Sequence, residues 1–246
     1  SSDWIFGHQF MYPGKHRLQS ADAYIDVAES VGIVPDIEKR KTLLKETIEA
    51  CAAESGAVIL EDAELVDLVT NLVEYPFPVV GTFDPSFLEV PDEVLITAMR
   101  EHQKYFALTD ASGTLRNQFI AVNNTRAKDM TLVAKGHEKV LRARLSDAKF
   151  FYETDLETSL DGFAEKLKQV TFQEKLGTVY EKTIRISDLG AFLAQASADD
   201  DKQALTRNVR RAAQICKADL VSQVVIEFTK LQGMIGRAYA LKAGEP

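Results

Sequence analysis

The chain has 246 residues, and 29 Lys and Arg stand against 37 Asp and Glu, for a net charge of −8. With 46% apolar and 27% charged residues, its composition is that of an ordinary globular protein of one large or two smaller domains. This excludes a disordered tail, a collagen-like rod and a disulfide scaffold. It also argues against a generic polyanion binder, so any nucleic-acid contact must come from a local patch.

Residues 1–17 are rich in aromatic and turn-forming residues, and Pro13-Gly14 marks a turn between short extended pieces. Ser20 to Ala23 starts a predicted helix that stops at Gly32. A second is predicted from Asp36 to Ser55, carrying Ile37, Leu44, Ile48 and Cys51 at helical spacing and ended by Gly56. Ala57 to Leu60 is too short for a helix and reads as a strand. Glu61 to Val73 is helical by pattern. Tyr75 to Pro91, punctuated by Pro76, Pro78 and Pro85, reads as a structured connector. Pro91 is placed as the first residue of a helix that includes Val94 to Gln103. Lys104 to Thr109, a turn at Asp110 to Gly113, and Gln118 to Asn123 form a predicted hairpin. Beyond Gly136 only helices are expected. They include Leu141, Leu145 and Ala148 on one stripe, with His137 near a helix start, and a further start at Ser159. A capping box at Thr171/Glu174 opens a helix to Gln195. After an acidic loop at Ala196 to Asp201, a helix of roughly 25 residues is expected to bury Leu205, Val209, Ala212, Cys216 and Leu220. The expected fold class is α+β, a mixed body over residues 1–135 followed by an all-helical region over 136–246. No repeat stands out. The start at Ser1 and the stop at Gly244-Glu245-Pro246 suggest a piece of something longer.

Cys51 and Cys216 form no CxxC or Cys/His cluster, so they read as two buried small hydrophobes, and such low cysteine use fits a reducing cytoplasm. No run of 18 apolar residues exists, so no membrane contact is expected. His8 and His16 have no acidic or cysteine partner at metal-ligand spacing and read as local hydrogen-bonding or exposed groups. His102, Gln103, Lys104 and Tyr105 lie at a helix-to-strand junction, where polar side chains can meet a ligand or docking partner. The bland alternative has His102 and Gln103 bonding backbone carbonyls while Tyr105 and Phe106 fill the core. Phosphate-loop and nucleophile-elbow motifs are absent, and Gly233-Met234-Ile235-Gly236 reads as a kink or close helix contact.

Two segments run against the acidic total. In the first, Lys135, Lys139, Arg142, Arg144 and Lys149 against Glu138 and Asp147 leave a net +3. In the second, Lys202, Arg207, Arg210, Arg211 and Lys217 stand with no acid at all. Arg-rich helix faces are what phosphate contact requires. The alternative is pairing with Asp199-Asp200-Asp201 and other acidic helices.

Several segments taken together resemble the β subunit of the bacterial heterotetrameric glycyl-tRNA synthetase. They are Val90-Pro91-Asp92-Glu93-Val94-Leu95-Ile96-Thr97 with His102-Gln103-Lys104-Tyr105-Phe106, Val140 to Ala148 with Phe150-Phe151-Tyr152, and Phe172 to Thr178. Lys217-Ala218-Asp219-Leu220-Val221, Glu227-Phe228 and Leu231 to Gly236 continue the series. Gly7-His8-Gln9-Phe10 is similar to the family's Gly-His-Arg-Phe, with Gln9 in the arginine's place. The resemblance implies an internal fragment of a glycine–tRNA ligase. Its body is related to domains of the phenylalanyl-tRNA synthetase β subunit, and its helical region to the start of an HD-like domain. It implies as partners tRNA(Gly) and the separate α subunit, in an α2β2 assembly. It implies no cofactor here, ATP and Mg²⁺ being held on the α subunit. No catalytic or metal-binding residue is expected. Lys139, Arg142, Arg144, Arg207, Arg210, Arg211 and Lys217 are the tRNA-binding candidates, and His102, Gln103, Lys104 and Tyr105 the docking candidates. Asp219 matches one acidic HD position, but no histidine follows His137. A hydrolase, HD-like or an editing site near His102, and a purely structural body are the competing expectations.

Overall fold

The computed structural model describes residues 3–197 and 201–245. The chain divides into two compact units, one of residues 1–89 and 96–145, the other of 90–95 and 146–246. The division falls inside a long helix rather than in a linker.

The first unit begins with a two-stranded ribbon of β1 (Trp4–Phe6) and β2 (Lys15–Arg17). Helices α1 (Tyr24–Ser30) and α2 (Ile37–Glu54) follow. Asp36 caps α2 by accepting from Lys39 N–H at 2.9 Å. Gly56 ends it at φ +66°, where the amides of Gly56 and Ala57 reach back to the Ala53 and Ala52 carbonyls. Next come β3 (Val58–Ile59), α3 (Ala63–Thr70) and β4 (Phe77–Thr82). After α4 (Asp92–Ala98), whose residues 92–95 belong to the second unit, and a π-helical turn (Met99–Gln103) come β5 (Phe106–Thr109) and β6 (Leu115–Asn123). The four strands form an antiparallel sheet in the order β3-β5-β6-β4. Leu44, Ile48 and Ala52 of α2 and Leu65, Val66 and Val69 of α3 pack with Phe106, Leu108 and Ile120 of the sheet to make the core.

The connector expected over Tyr75–Pro91 is thus in part a strand, six residues in register with β6. Pro78 is tolerated because β4 lies at the sheet edge. Pro91 stands one position outside α4, its carbonyl accepting from Val94 and Leu95.

Helix α5 (Met130–Leu156) runs on into the second unit. There Ser159 caps α6 (Leu160–Lys166), as its position predicts. Two short strands, β7 (Thr171–Gln173) and β8 (Gly177–Thr178), follow, which corrects the expectation that only helices occur beyond Gly136. The side-chain carbonyl of Gln173 accepts from Lys175 and Leu176 N–H and closes the turn, and Gly177 takes φ +82°. Helix α7 (Val179–Ala196) therefore starts five residues late, and its capping box is Thr178/Glu181, not Thr171/Glu174. The expected 25-residue helix is shorter, α8 (Lys202–Ile215), followed by a 3-10 turn (Ala218–Val221), α9 (Gln223–Glu227) and α10 (Met234–Lys242). Of the expected buried stripe, Leu205, Val209 and Leu220 are half-buried, while Ala212 and Cys216 are exposed. Cys51 is half-buried, so neither cysteine is a fully buried core group.

Candidate functional site

The helix-to-strand junction is built on Arg100. Its guanidinium reaches Asp62 at 2.5 Å, Glu64 at 2.7 Å and Glu101 at 2.6 Å, and these carboxylates raise its pKa, Asp62 foremost. Asp62 also caps α3 through Leu65 N–H. The π-turn is therefore tied to the start of α3. Lys104 leaves that turn in the left-handed region at φ 59°, an uncommon setting for a side chain with Cβ. Its Nζ donates to the Glu101 carbonyl at 2.7 Å, and Tyr105 N–H returns to the Met99 carbonyl.

This geometry turns Tyr105 inward. Its ring stacks on Phe119 at 4.7 Å, and its hydroxyl meets His137 Nδ1 at 2.7 Å. His137 Nε2 meets Asn123 Oδ1 at 2.9 Å, and Asn123 Nδ2 donates to the Phe77 carbonyl. A consistent proton assignment has Tyr105 donating to Nδ1 and a neutral His137 donating from Nε2. Burial pushes Tyr105 up to about 12 and His137 down. His137 thus lies inside α5, not at a helix start, and joins Tyr105, the residue before β5, to Asn123 of β6, which in turn bonds β4. Gln103, Lys104, Tyr105, His137 and Val140 line a cleft of about 290 Å³ with Leu72 among its apolar walls. His102 is exposed beside it and outside its lining.

On α5, Leu141, Leu145 and Ala148 are fully buried and set the inward stripe. Lys135, Lys139 and Arg142 follow one another at i, i+4 and i+7, so they form one exposed flank. Arg144 is exposed on the other side of the buried stripe, in line with His137 and Val140 of the cleft. Among the described residues no ion pair engages Lys139, Arg142 or Arg144. Glu138 is turned away from the flank, accepting from Thr82 N–H at 2.8 Å and its hydroxyl at 2.9 Å.

The cations of α8 are placed differently. Arg211 is held between Asp161, at 2.5 Å, and Glu245. Those two carboxylates raise its pKa, Glu245 foremost, and Arg211 in turn lowers that of Glu245. Arg210 faces Asp188 at 3.3 Å, across a cleft of about 320 Å³ that Asp161 and Glu165 also line. Arg207 is exposed and Lys217 half-buried. Within the expected acidic loop, Asp199 and Asp200 lie outside the described residues, and Asp201 caps α8.

Two buried carboxylates, Asp155 and Asp219, hold helix starts in the second unit. Asp155 accepts from Gln223 and Val224 N–H at the start of α9 and from the Tyr239 hydroxyl. Burial foremost, then this bond, raises the Tyr239 pKa. Asp219 accepts from Gly233 and Gly236 N–H at the start of α10. A Cβ at Gly236 would lie 2.9 Å from the Asp219 carboxyl carbon, so only glycine admits this approach. Both carboxylates neutralise helix N-termini. Asp219, the position compared with an HD acidic residue, serves α10. Among the described residues no group of three or more His, Cys, Asp or Glu could hold a metal ion, and no helix is long and apolar enough to cross a membrane.

Comparison with known proteins gives one consistent answer. A family model described as glycyl-tRNA synthetase beta subunit matches residues 1–246. A glycine–tRNA ligase beta subunit of Desulforapulum autotrophicum is 62% identical over 245 residues, covering 100% of this chain and 35% of the relative. Its counterpart in Desulfatibacillum aliphaticivorans is 52% identical over 97% of this chain and 34% of the relative. That of Myxococcus xanthus is 45% identical over 98% and 34%. The chain therefore spans about a third of the length of the curated relatives it matches.

Proposed function

Since the chain belongs to the glycyl-tRNA synthetase beta-subunit family, we propose that it is a non-catalytic part of a glycine–tRNA ligase. It contributes to binding of tRNA(Gly) and to docking of the α subunit in an α2β2 assembly. ATP, Mg²⁺ and glycine are handled on the α subunit. The observation that carries the RNA assignment is the contrast between two basic helices. Among the described residues, Lys139 and Arg142 project from α5 without ion pairs, whereas Arg210 and Arg211 of α8 are matched by Asp188, Asp161 and Glu245. A phosphate gains most from a cation that carries no protein carboxylate beside it. Arg144, beside the cleft of Tyr105 and His137, extends this reading to the docking candidates Gln103 and Lys104.

The test mixes the purified chain separately with tRNA(Gly) and with the α subunit. Lys139→Ala/Arg142→Ala/Arg144→Ala is expected to weaken tRNA binding and leave the fold intact. Binding to α alone, with tRNA binding absent in wild type, would instead support a structural body.

A further inference from the structure

The first unit concentrates exposed aromatic side chains in its N-terminal hairpin. Trp4, Phe6, Phe10 and Tyr12 are 46%, 66%, 72% and 46% exposed, although such rings are ordinarily buried. Trp4 and Phe6 stand two apart on β1 and so share one face of the ribbon. Their cross-strand neighbours are Arg17 and Lys15, which the pairing puts on that same face. Lys15 Nζ lies 5.9 Å from the Phe6 ring centroid. Arg17 meets Asp3 at 3.3 Å, both well exposed, a pairing that another anion readily replaces. Ile5 and His16 form the opposite, half-buried face. Asp3 is the sole carboxylate of residues 3–17, against Lys15 and Arg17.

The hairpin is held in place. His8 is buried, its Nδ1 accepts from the Phe10 and Met11 amides at 3.3 Å, and its Nε2 donates to the Asn124 carbonyl at 2.6 Å. That pattern requires the Nε2–H tautomer. A Cβ on Gly7 would collide with the Tyr12 carbonyl oxygen, and one on Gly32 would lie 2.9 Å from the Tyr12 ring. The rings are therefore presented by an ordered loop, which lowers the entropy lost when a ligand meets them.

We propose that this hairpin is a stacking platform for unpaired nucleotides of RNA. Trp4 and Phe6 take the bases, while Lys15 and Arg17 take the phosphates. Every base has a π-face, so stacking is sequence-tolerant, and a duplex hides those faces. A purely apolar partner would need the rings alone. The pairing of each ring with a cation across the ribbon fits a ligand that alternates base and phosphate. The proposal rests on the RNA-binding reading above but uses none of its residues.

Trp4 is the single tryptophan of the chain, so its emission reports on the hairpin directly. The whole chain is titrated with an unstructured hexaribonucleotide and with an RNA duplex of the same length. The single strand is expected to quench Trp4 saturably and the duplex much less. Phe6→Ala should weaken the single-strand titration roughly tenfold, as loss of one stacked base does. Lys139→Ala/Arg142→Ala should leave that titration unchanged while weakening binding of whole tRNA. Absent quenching, or equal quenching by the duplex, overturns the platform and leaves the α5 reading standing. Unchanged tRNA binding in the α5 variant defeats that reading instead, whatever the hexamer does. If Phe6→Ala loses the α subunit while the hexamer titration is blank, the hairpin is a protein contact and the proposal is wrong.

Discussion

His137 shows how one side chain links the cleft to the sheet. It stands four residues before Leu141, on the buried stripe of α5, so the same period that predicts Leu141, Leu145 and Ala148 turns it inward. Asp155, seven residues after Ala148, obeys the same rule. Both are legible once the period is extended in either direction. Their partners, Tyr105, Asn123 and Tyr239, come from far along the chain and are not. Burial lowers the His137 pKa below 6.5. Below that value the unfolded chain takes a proton that the folded chain resists, so stability falls as pH drops from about 6.5 towards the folded pKa. Glu245 and Asp110, whose pKa values are lowered from 4.5 and 3.8, contribute only at more acid pH. Urea unfolding between pH 7 and pH 5 should show this slope in wild type and a flatter one in His137→Gln; equal slopes would remove His137 as its source. Tyr105→Phe leaves Nδ1 of His137 without its donor and should cost about 1–3 kcal/mol by the same measurement.

At the scale of elements, the two Thr-x-x-Glu patterns at Thr171 and Thr178 are indistinguishable by spacing. The choice falls on the second because Gly177 adopts a positive φ and Gln173 closes a turn before it. Neither a backbone angle nor the short β7–β8 pairing has a periodic signature, so spacing alone places the helix start too early. Thr178→Ala should cost about 1 kcal/mol of stability. Glu174→Ala should change it by less than about 0.5 kcal/mol, and chemical denaturation of the two variants separates them. The break after α8 has a similar origin. Asp219 faces inward to hold Gly233 and Gly236, which a continuous helical stripe through Leu220 does not permit. Gly236→Ala should accordingly lower the thermal midpoint, whereas Gly244→Ala, with open space at its Cβ, tests only the positive-φ cost.

Across the whole molecule, a net charge of −8 coexists with one basic flank because carboxylates are placed where cations need partners. The mixed α+β class and most helices are visible in periodicity and turn residues. Which arginines are matched by carboxylates is not, since Asp161, Asp188 and Glu245 reach Arg210 and Arg211 of α8 from 22 to 50 residues away. The central claim is that α5, and not the paired arginines of α8, meets phosphate. It is tested most directly by the salt dependence of tRNA(Gly) binding to the whole chain. Lys139→Ala/Arg142→Ala should reduce the slope of log affinity against log salt by roughly two, about one for each phosphate no longer engaged, while Arg210→Ala leaves it near the wild-type value. An unchanged slope in the α5 variant, with the decrease appearing in Arg210→Ala instead, would contradict the account.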